Sequence, residues 1–325
     1  MVDLIYMNQY GRELGYIDKA EGDFSIGIEN SFALKIPIEY EIVQDYYVMI
    51  EGTEYGGIVD GLEIDTSQNY ITISGRTWHG LLATQLIKPP AGSLYYTVSG
   101  DLNTILGQLI TRLNLGFCMA ASSSLSGITV SDYNFSRAAS EMDAYTAIRK
   151  LLKSKGCKLH IEYDTSARRA VLSAVPQNDY TSDGLDGDKV NFNIRTTRPV
   201  NHLHCLGQGE GLDRVLIDLY ANEKGQVSKT QTIFGAQHRE EAYENTSSDA
   251  EALETDGIKR LRELQANMNT CGLVGADNGS YDIDDIVGGV SDKHNVSVIT
   301  TVAEKRADVT SRGITYETKT AAEVD

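Results

Sequence analysis

Residues 46–64 read YYVMIEGTEYGGIVDGLEI, and their pattern is that of two strands joined by a turn. Its two apolar runs are separated by the segment EGTEYGG, whose polar residues and glycines are typical of a β-hairpin turn. Apolar and polar residues also alternate at 24–28 (FSIGI) and 70–74 (YITIS), and a period of two indicates antiparallel strands. Short strands with glycines at their corners predict a small β-barrel or sandwich over residues 1–92.

The hydrophobic period changes to that of a helix after the double proline at 89–90. Residues 101–115 place leucines and isoleucines on one helical stripe, and a second helix is predicted over 140–156. Two strands with alternating apolar residues follow within 158–175. Residues 93–190 are therefore predicted to form a compact α+β domain that is inserted between two β domains.

The third segment, residues 191–325, returns to strands and contains one long amphipathic helix. That helix, at about 248–269, has leucine, isoleucine and methionine residues at a 3.6-residue period and charged residues on its opposite face. The predicted fold class is therefore α+β, mainly β. The strands predicted in this segment are 201–207, 213–220, 295–300 and 313–317.

Composition excludes several classes of function. The 29 basic and 46 acidic residues give a formal net charge of -17, which repels phosphate backbones and anionic membrane surfaces. No apolar run reaches the roughly 20 residues that a membrane-spanning helix needs, so no membrane insertion is expected. The four cysteines lie far apart and form no C-x-x-C pair, so we expect buried free thiols, with no cofactor.

His202 and His204 are the first candidates for a metal site. They lie two residues apart on a predicted strand, so both imidazoles are on one face of the sheet, a spacing that many metal sites use. No neighbouring segment supplies an obvious third ligand, although Cys205 is adjacent and a residue distant in sequence could supply one. A solvated sheet face is the interpretation that we prefer, with metal binding as the alternative.

A second candidate is the acidic segment YDIDDIVGG at 281–289, which contains Asp282, Asp284 and Asp285. An EF-hand that began at Asp282 would require an oxygen ligand at its fifth position, a glycine at its sixth and a glutamate at its twelfth. The residues there are isoleucine, valine and lysine, so the calcium motif fails. Weak binding of a divalent ion by these carboxylates stays an alternative.

Motifs of catalysis are absent from the sequence. The glycines of GQGEG at 207–211 are followed by a further strand and not by a helix, so a hairpin corner explains them better than a dinucleotide-binding loop. No Gly-x-Ser-x-Gly elbow is present. Glycosidases need only two carboxylates across a cleft, but 46 acidic residues produce such pairs by chance. We therefore predict no catalytic residues.

The order of these motifs resembles the tail-tip hub proteins of siphoviruses. The resemblance includes a strand that ends in Gly75-Arg76 and a short helix with paired leucines after it, an Asn-to-Gly-x-Gly strand pair, and a long helix with an internal glycine. It spans nearly the whole chain. The segments that carry it are 23–26, 49–52, 57–64, 71–76, 80–82, 201–209 with Arg214, and 254–261.

The resemblance implies a definite architecture and role. Two small β-barrel-like domains, 1–92 and 191–325, would flank the α+β domain at 93–190, and three chains would form a ring with six barrels around the tail axis. The partners implied are further copies of the chain, the tail tube or distal tail protein, the tape measure protein, and tip or fibre proteins. DNA would only pass through, and the protein would be made in the bacterial host cytoplasm and reside in the virion tail.

The sequence thus favours a non-enzymatic tail-tip or baseplate hub, with a glycan-degrading tail enzyme or a carbohydrate-binding β module as alternatives. In the hub family a Gly-Asp turn stands where this chain has Asp284-Asp285. The resemblance therefore implies that Asp284 takes the place of the glycine and that Asp285 holds the turn by accepting backbone N–H groups. An apolar strand should resume at Ile286 and end at Gly288-Gly289.

Overall fold

The computed structural model describes residues 4–135, 143–181, 191–266, 269–274, 281–291 and 296–322. Its contacts group the chain into two compact units. Unit 1 contains Met1–Ser182, Gly275–Ile286 and Val302–Lys319, and unit 2 contains Asp183–Val274, Val287–Thr301 and Thr320–Asp325. Strands predominate over helices in the described residues, which confirms the predicted class, α+β and mainly β.

The first strands and helices of the chain belong to unit 1. The predicted hairpin at 46–64 is confirmed, because β5 and β6 pair in antiparallel fashion. The elements are β1 (Leu4–Met7), β2 (Glu13–Ile17), β3 (Glu21–Ile26), β4 (Ser31–Pro37), β5 (Tyr47–Ile50), β6 (Gly56–Asp65), β7 (Tyr70–Thr77), α1 (Trp78–Ala83), β8 (Tyr96–Asp101), α2 (Leu102–Arg112), β9 (Met119–Ala121), β10 (Thr129–Phe135), α3 (Ala144–Lys153), β11 (Cys157–Asp164) and β12 (Arg169–Pro176).

The later elements alternate between strands and one long helix. They are β13 (Asn191–Thr196), β14 (His202–Leu206), β15 (Leu216–Ala221), β16 (Val227–Ser228), β17 (Glu240–Glu244), α4 (Ala250–Ala266), β18 (Asn269–Val274), β19 (Ile286–Ser291), β20 (Val296–Thr310) and β21 (Gly313–Ala322). Strand β15 begins three residues later than predicted, because Gly211–Asp213 forms a 3₁₀ turn first. The predicted helix at 140–156 begins at Ala144, with Asp143 as its N-cap, and residues 136–142 lie outside the described residues.

The largest sheet joins the two ends of the chain. Its strand order is β19-β20-β3-β4-β7-β6-β5-β1-β2, with β21 paired to β20. Strand β20, which the sequence assigned to the third domain, therefore pairs with β3 of the first. The predicted division into three domains, 1–92, 93–190 and 191–325, remains a prediction. The contacts themselves define two units.

One apolar core in unit 1 includes residues of both the N-terminal strands and the inserted α+β segment. Trp78, at the start of α1, is fully buried and contacts Tyr47 edge-on at 5.7 Å and Tyr163 face-to-face at 5.4 Å between ring centres. Leu81 and Leu82 of the same helix are buried, as the paired-leucine motif after Gly75-Arg76 predicts. Helices α2 and α3 complete this core with their apolar faces.

Unit 2 contains the sheet β16-β15-β14-β17, against which α4 packs. Gly257 lies where the helix is closest to the sheet, because a Cβ atom there would be 2.7 Å from both Cys205 Sγ and Leu219 Cδ1. This explains the internal glycine of the predicted helix. Cys118, Cys157 and Cys205 are buried free thiols, as expected. Within the described residues, no helix combines the length and the apolarity needed to cross a bilayer.

Replacing Gly75 by alanine should destabilise the large sheet. A Cβ atom at this position would be 1.9 Å from the carbonyl oxygen of Ile58, on the neighbouring strand β6, so the backbone must shift. We expect a loss of about 1–3 kcal/mol, which urea denaturation measures. The matched control is Gly107→Ala within α2, where the nearest atom to the new Cβ is 3.6 Å away and a gain of about 0.5–1 kcal/mol is expected. Changes of the same sign in both variants would contradict this packing.

Candidate functional site

The acidic segment at 282–285 forms a tight turn before β19. Asp284 has φ = +71°, in the left-handed region that favours glycine, as its place in the motif predicts. Asp285 accepts N–H groups from Asp282 at 2.9 Å and from Asn178 at 3.0 Å, so it holds the turn in the predicted way. The strand resumes at Ile286, also as predicted, but it ends at Ser291 and not at the two glycines.

Two lysines from distant strands neutralise this turn. Lys158 Nζ bonds to Asp282 at 2.7 Å and to both carboxylate oxygens of Asp285 at 2.8 and 2.9 Å. Lys305 Nζ bonds to Asp282 at 2.9 Å and also to Glu54. The side chain of Lys158 is 3% exposed and that of Asp285 is fully buried. Both charges of that pair are therefore shielded from water and stabilised by each other.

Arg149 of α3 pairs with the remaining carboxylate. Its Nε and Nη2 atoms donate to the two oxygens of Asp284 at 2.8 and 2.6 Å, a bidentate geometry. The guanidinium also lies 5.1 Å from the ring centre of the buried Tyr145. We call these seven residues the buried charge cluster: Glu54, Arg149, Lys158, Asp282, Asp284, Asp285 and Lys305.

The electrostatics of the cluster favour the charged forms of Asp282 and Lys305. Burial acts to raise the pKa of Asp282, but Lys305 and Lys158 outweigh it and lower that pKa to about 2. Burial acts to lower the pKa of Lys305, yet Glu54, Tyr55 and Asp282 raise it above its usual range. The oxygens of Asp282, Asp284 and Asp285 are thus occupied by cationic side chains, which a metal ion would have to displace.

His79 lies beside the cluster and is neutral. Burial, followed by the charges of Lys305 and Arg149, lowers its pKa to about 3. Its Nε2 atom is 3.8 Å from a carboxylate oxygen of Glu54. Because the histidine is uncharged at neutral pH, this contact is not an ion pair. His79 is therefore a buried polar group within the core, packed edge-on against Tyr145 at 5.6 Å between ring centres.

A cleft of about 250 Å³ opens beside the cluster, and it bears on the alternative of a glycan-degrading enzyme. Glu54, Glu162 and Asp282 line it together with Tyr55 and Tyr316. A glycosidase acid requires a raised pKa, because it must be protonated when the leaving group departs. The pKa of Asp282 is lowered and Glu54 bonds to Lys305, so neither residue is suited to that role.

Acid should weaken the fold partly through Asp282. Its pKa of about 2 in the folded chain lies below the ordinary value of about 3.9, so its stabilisation is present above pH 4 and is lost as the pH falls toward 2. Urea midpoints between pH 7 and pH 2.5 measure this. In Asp282→Asn the fall between pH 4 and pH 2.5 should be smaller than in the wild type, and an identical fall would contradict the assignment.

The second candidate, His202 and His204, lies on the sheet of unit 2. Strand register places His204 opposite Asp218 of β15 and His202 opposite Glu240 of β17. Asp218 Oδ1 is 2.8 Å from His202 Nε2 and 2.7 Å from His204 Nδ1. Partial burial acts to raise the pKa of Asp218, but the hydrogen bonds from His204 and His202 outweigh it and lower that pKa.

The other nitrogen of His202 faces two more potential ligands. Its Nδ1 atom is 3.1 Å from His238 Nε2 and 3.2 Å from Glu240 Oε2. Within the described residues, two groups bring three such ligand atoms within 4.8 Å of one another: His202, His238 and Glu240, and His202, His204 and Asp218. We call these five residues the histidine cluster. Neighbouring strands thus bring two carboxylates, Asp218 and Glu240, close to the histidines as potential third ligands.

Comparisons with known proteins identify the fold. No protein-family model matches the chain, and no curated protein matches it in sequence. The 43 kDa tail protein of prophage MuSo2 from Shewanella oneidensis is 16% identical, with 98% of each chain covered and a TM-score of 0.50. A tail protein from Neisseria meningitidis MC58 is 12% identical, over 98% of this chain and 96% of that one, with a TM-score of 0.45.

Prophage tail protein gp18 from Listeria monocytogenes EGD-e is 14% identical, over 98% of this chain and 94% of that one, with a TM-score of 0.46. At these identities the likeness shows the fold alone, and the fold assignment rests on the Shewanella protein, with its TM-score of 0.50. The resemblance to tail proteins that the sequence motifs indicate is thus confirmed at the level of the fold.

Proposed function

We propose that this chain is a structural protein of a phage or prophage tail, and that three copies form a hub ring that joins the tail tube to host-facing tip proteins. The observation that carries the proposal is the shared fold with a prophage tail protein, which covers 98% of both chains. The likeness therefore includes the N-terminal strands, the inserted segment and the closing strands together, and not one common domain alone.

Net charge supports a role beside a DNA passage. A charge of -17 repels the phosphate backbone, so DNA would move past the protein with little adhesion. In this proposal the ring encloses a lumen through which the tape measure protein and then DNA pass. The distal tail protein or tube lies on one side of the ring, and tip or fibre proteins lie on the other.

An exposed strand edge supports assembly with further copies. Within the described residues, strand β2 ends the strand order of the large sheet, and its Leu14 side chain is 42% exposed. Exposed apolar side chains on an edge strand favour pairing with another chain unless something covers them. In a ring, the neighbouring copy would cover this edge.

The buried charge cluster supports a structural role over a catalytic one. Its carboxylates bond to lysine and arginine, and the lowered pKa of Asp282 opposes proton transfer near neutral pH. Such a cluster fixes the position of the turn at 282–285 against the strands that carry Lys158 and Lys305. We therefore propose a non-enzymatic protein, with the glycan-degrading enzyme and the carbohydrate-binding module as the rivals that experiment must exclude.

Light scattering measures the molar mass of the untagged chain and of a variant with a charge on the edge strand β2, and thereby tests the proposal. We expect a mass three times that of the 35.6 kDa chain, and a monomer after Leu14→Arg. The matched control is Leu125→Arg, since Leu125 is 74% exposed on a loop between β9 and β10, and this variant should remain a trimer. A wild-type monomer that releases fragments from bacterial cell wall, or that binds glycans, would contradict the proposal.

A further inference from the structure

We propose that the histidine cluster binds a divalent cation of the zinc class through His202 Nδ1, His238 Nε2 and Glu240 Oε2. This inference concerns unit 2 alone and does not depend on the role proposed for the chain. Two imidazole nitrogens and one carboxylate oxygen form a donor set that suits Zn²⁺, with a fourth position left for water or another ligand.

Two of the three distances between the proposed ligand atoms fit a tetrahedral ion, and the third pair lies within 4.8 Å. Bonds of about 2.0–2.1 Å from zinc to nitrogen and oxygen place tetrahedral ligand atoms about 3.3 Å apart. His202 Nδ1 lies 3.1 Å from His238 Nε2 and 3.2 Å from Glu240 Oε2, so both distances agree within a few tenths of an ångström. The ring centres of the two histidines are 5.2 Å apart and their planes differ by 23°. The two nitrogens are thus close enough for one ion to contact both.

The contact between His202 and Asp218 leaves the other ring nitrogen for an ion. His202 Nε2 lies 2.8 Å from Asp218 Oδ1, so this nitrogen is the one that faces the outer carboxylate. Nδ1 is then the nitrogen that faces Glu240, and it is the atom placed to bind a cation.

Asp218 also has the role of an outer carboxylate. A metal-binding histidine usually donates its other N–H to a carboxylate, which fixes the ring and makes the metal-binding nitrogen more basic. Here His204 Nδ1 bonds to the same oxygen of Asp218 at 2.7 Å and helps to hold it. Tyr220 stacks on the ring of His202 at 4.3 Å between centres, so the ligand ring is held on one face as well.

Backbone contacts hold the segment that carries His238. The buried Asn201 donates from Nδ2 to the carbonyl of Gln237 at 2.7 Å and accepts from the N–H of Arg239 at 3.0 Å. Asn201 directly precedes His202, so these two bonds hold His238 close to His202. An ion at this site would link β14 to β17, the last strand in the order of its sheet.

Metal titration of the untagged, metal-stripped chain tests the inference. We expect one Zn²⁺ per chain by calorimetry and elemental analysis, and visible absorption of tetrahedral Co²⁺ when cobalt is added instead. Zinc should also raise the melting temperature, because it binds the folded chain. His238→Gln and Glu240→Gln should each weaken binding by at least about tenfold, and Asp218→Asn by about 10–100-fold as an outer ligand.

The matched control is His160→Gln, a half-exposed histidine on β11 in unit 1, which lies 3.7 Å from Glu162 and should leave zinc affinity unchanged. Circular dichroism on each variant shows whether its fold is intact. Three results would overturn the inference: zinc binding that is absent in the wild type, binding of equal strength in His238→Gln, or an equal loss in His160→Gln. If zinc does not bind the wild type and nuclear magnetic resonance spectra at pH 7 show that His202 is doubly protonated, a proton takes the position proposed for the metal ion.

Discussion

Replacement of Lys158 by methionine is expected to lower the free energy of unfolding by about 3–5 kcal/mol. Lys158 Nζ makes three bonds of 2.7 to 2.9 Å to Asp282 and Asp285, and Asp285 is fully buried. Methionine has a similar length and fills the space, so the loss reports the missing charge and not a cavity. The carboxylate of Asp285 would remain buried with its two backbone N–H partners but without a cation.

Lys155→Met is the matched control, because Lys155 is an exposed residue of the turn before β11 and its replacement should change stability by less than about 0.5 kcal/mol. Urea denaturation at pH 7 measures both variants. The difference between Lys158→Met and the wild type should narrow near pH 3, since an orphaned carboxylate can then take up a proton. Equal stability of the two lysine variants at pH 7 would show that the buried charge cluster does not hold unit 1 together.

Replacement of Arg149 by methionine should cost about 3 kcal/mol or more, for the same physical reason. Asp284 has a side chain that is 4% exposed, and the two bonds from Arg149 are its bidentate partners. The variant would leave this carboxylate uncompensated at a position where φ is already positive. Denaturation at pH 7 measures the loss.

Asp284→Gly distinguishes the contribution of the ion pair to stability from the cost of the backbone strain. In the wild-type background the change should destabilise the chain, because Arg149 loses its partner. In the Arg149→Met background it should stabilise the chain, because glycine removes the orphaned carboxylate and relieves up to about 1–2 kcal/mol of left-handed strain. The sign should reverse between the two backgrounds. The same sign in both would contradict the view that Arg149 offsets the cost of aspartate at this position.

Local features of the fold followed from the sequence. Alternation and turn residues identified the hairpin at 46–64, and a 3.6-residue period identified α2 and α4, because each signal lies within one short segment. The role of Asp285 and the glycine-like place of Asp284 were also predicted, from the motif that surrounds them. These predictions depend on residues that are neighbours in the chain.

Features that depend on distant contacts were missed. Nothing near Lys158 or Lys305 in sequence indicates that each would be buried, because their partners are 124 and 23 residues away at Asp282. The carboxylate that faces His202 in the histidine cluster was missed for the same reason. Glu240 faces His202 because β17 pairs with β14 in parallel. The sequence of neither strand indicates which strand it pairs with.

Electron microscopy of the purified untagged chain, alone and with the tail proteins encoded beside it, tests the proposed hub most directly. We expect closed rings with threefold symmetry and a central opening, one chain per third of the ring, seated on the end of a tail tube when tube protein is present. Particles of single chains under both conditions, or rings of another symmetry that do not bind the tube, would contradict it.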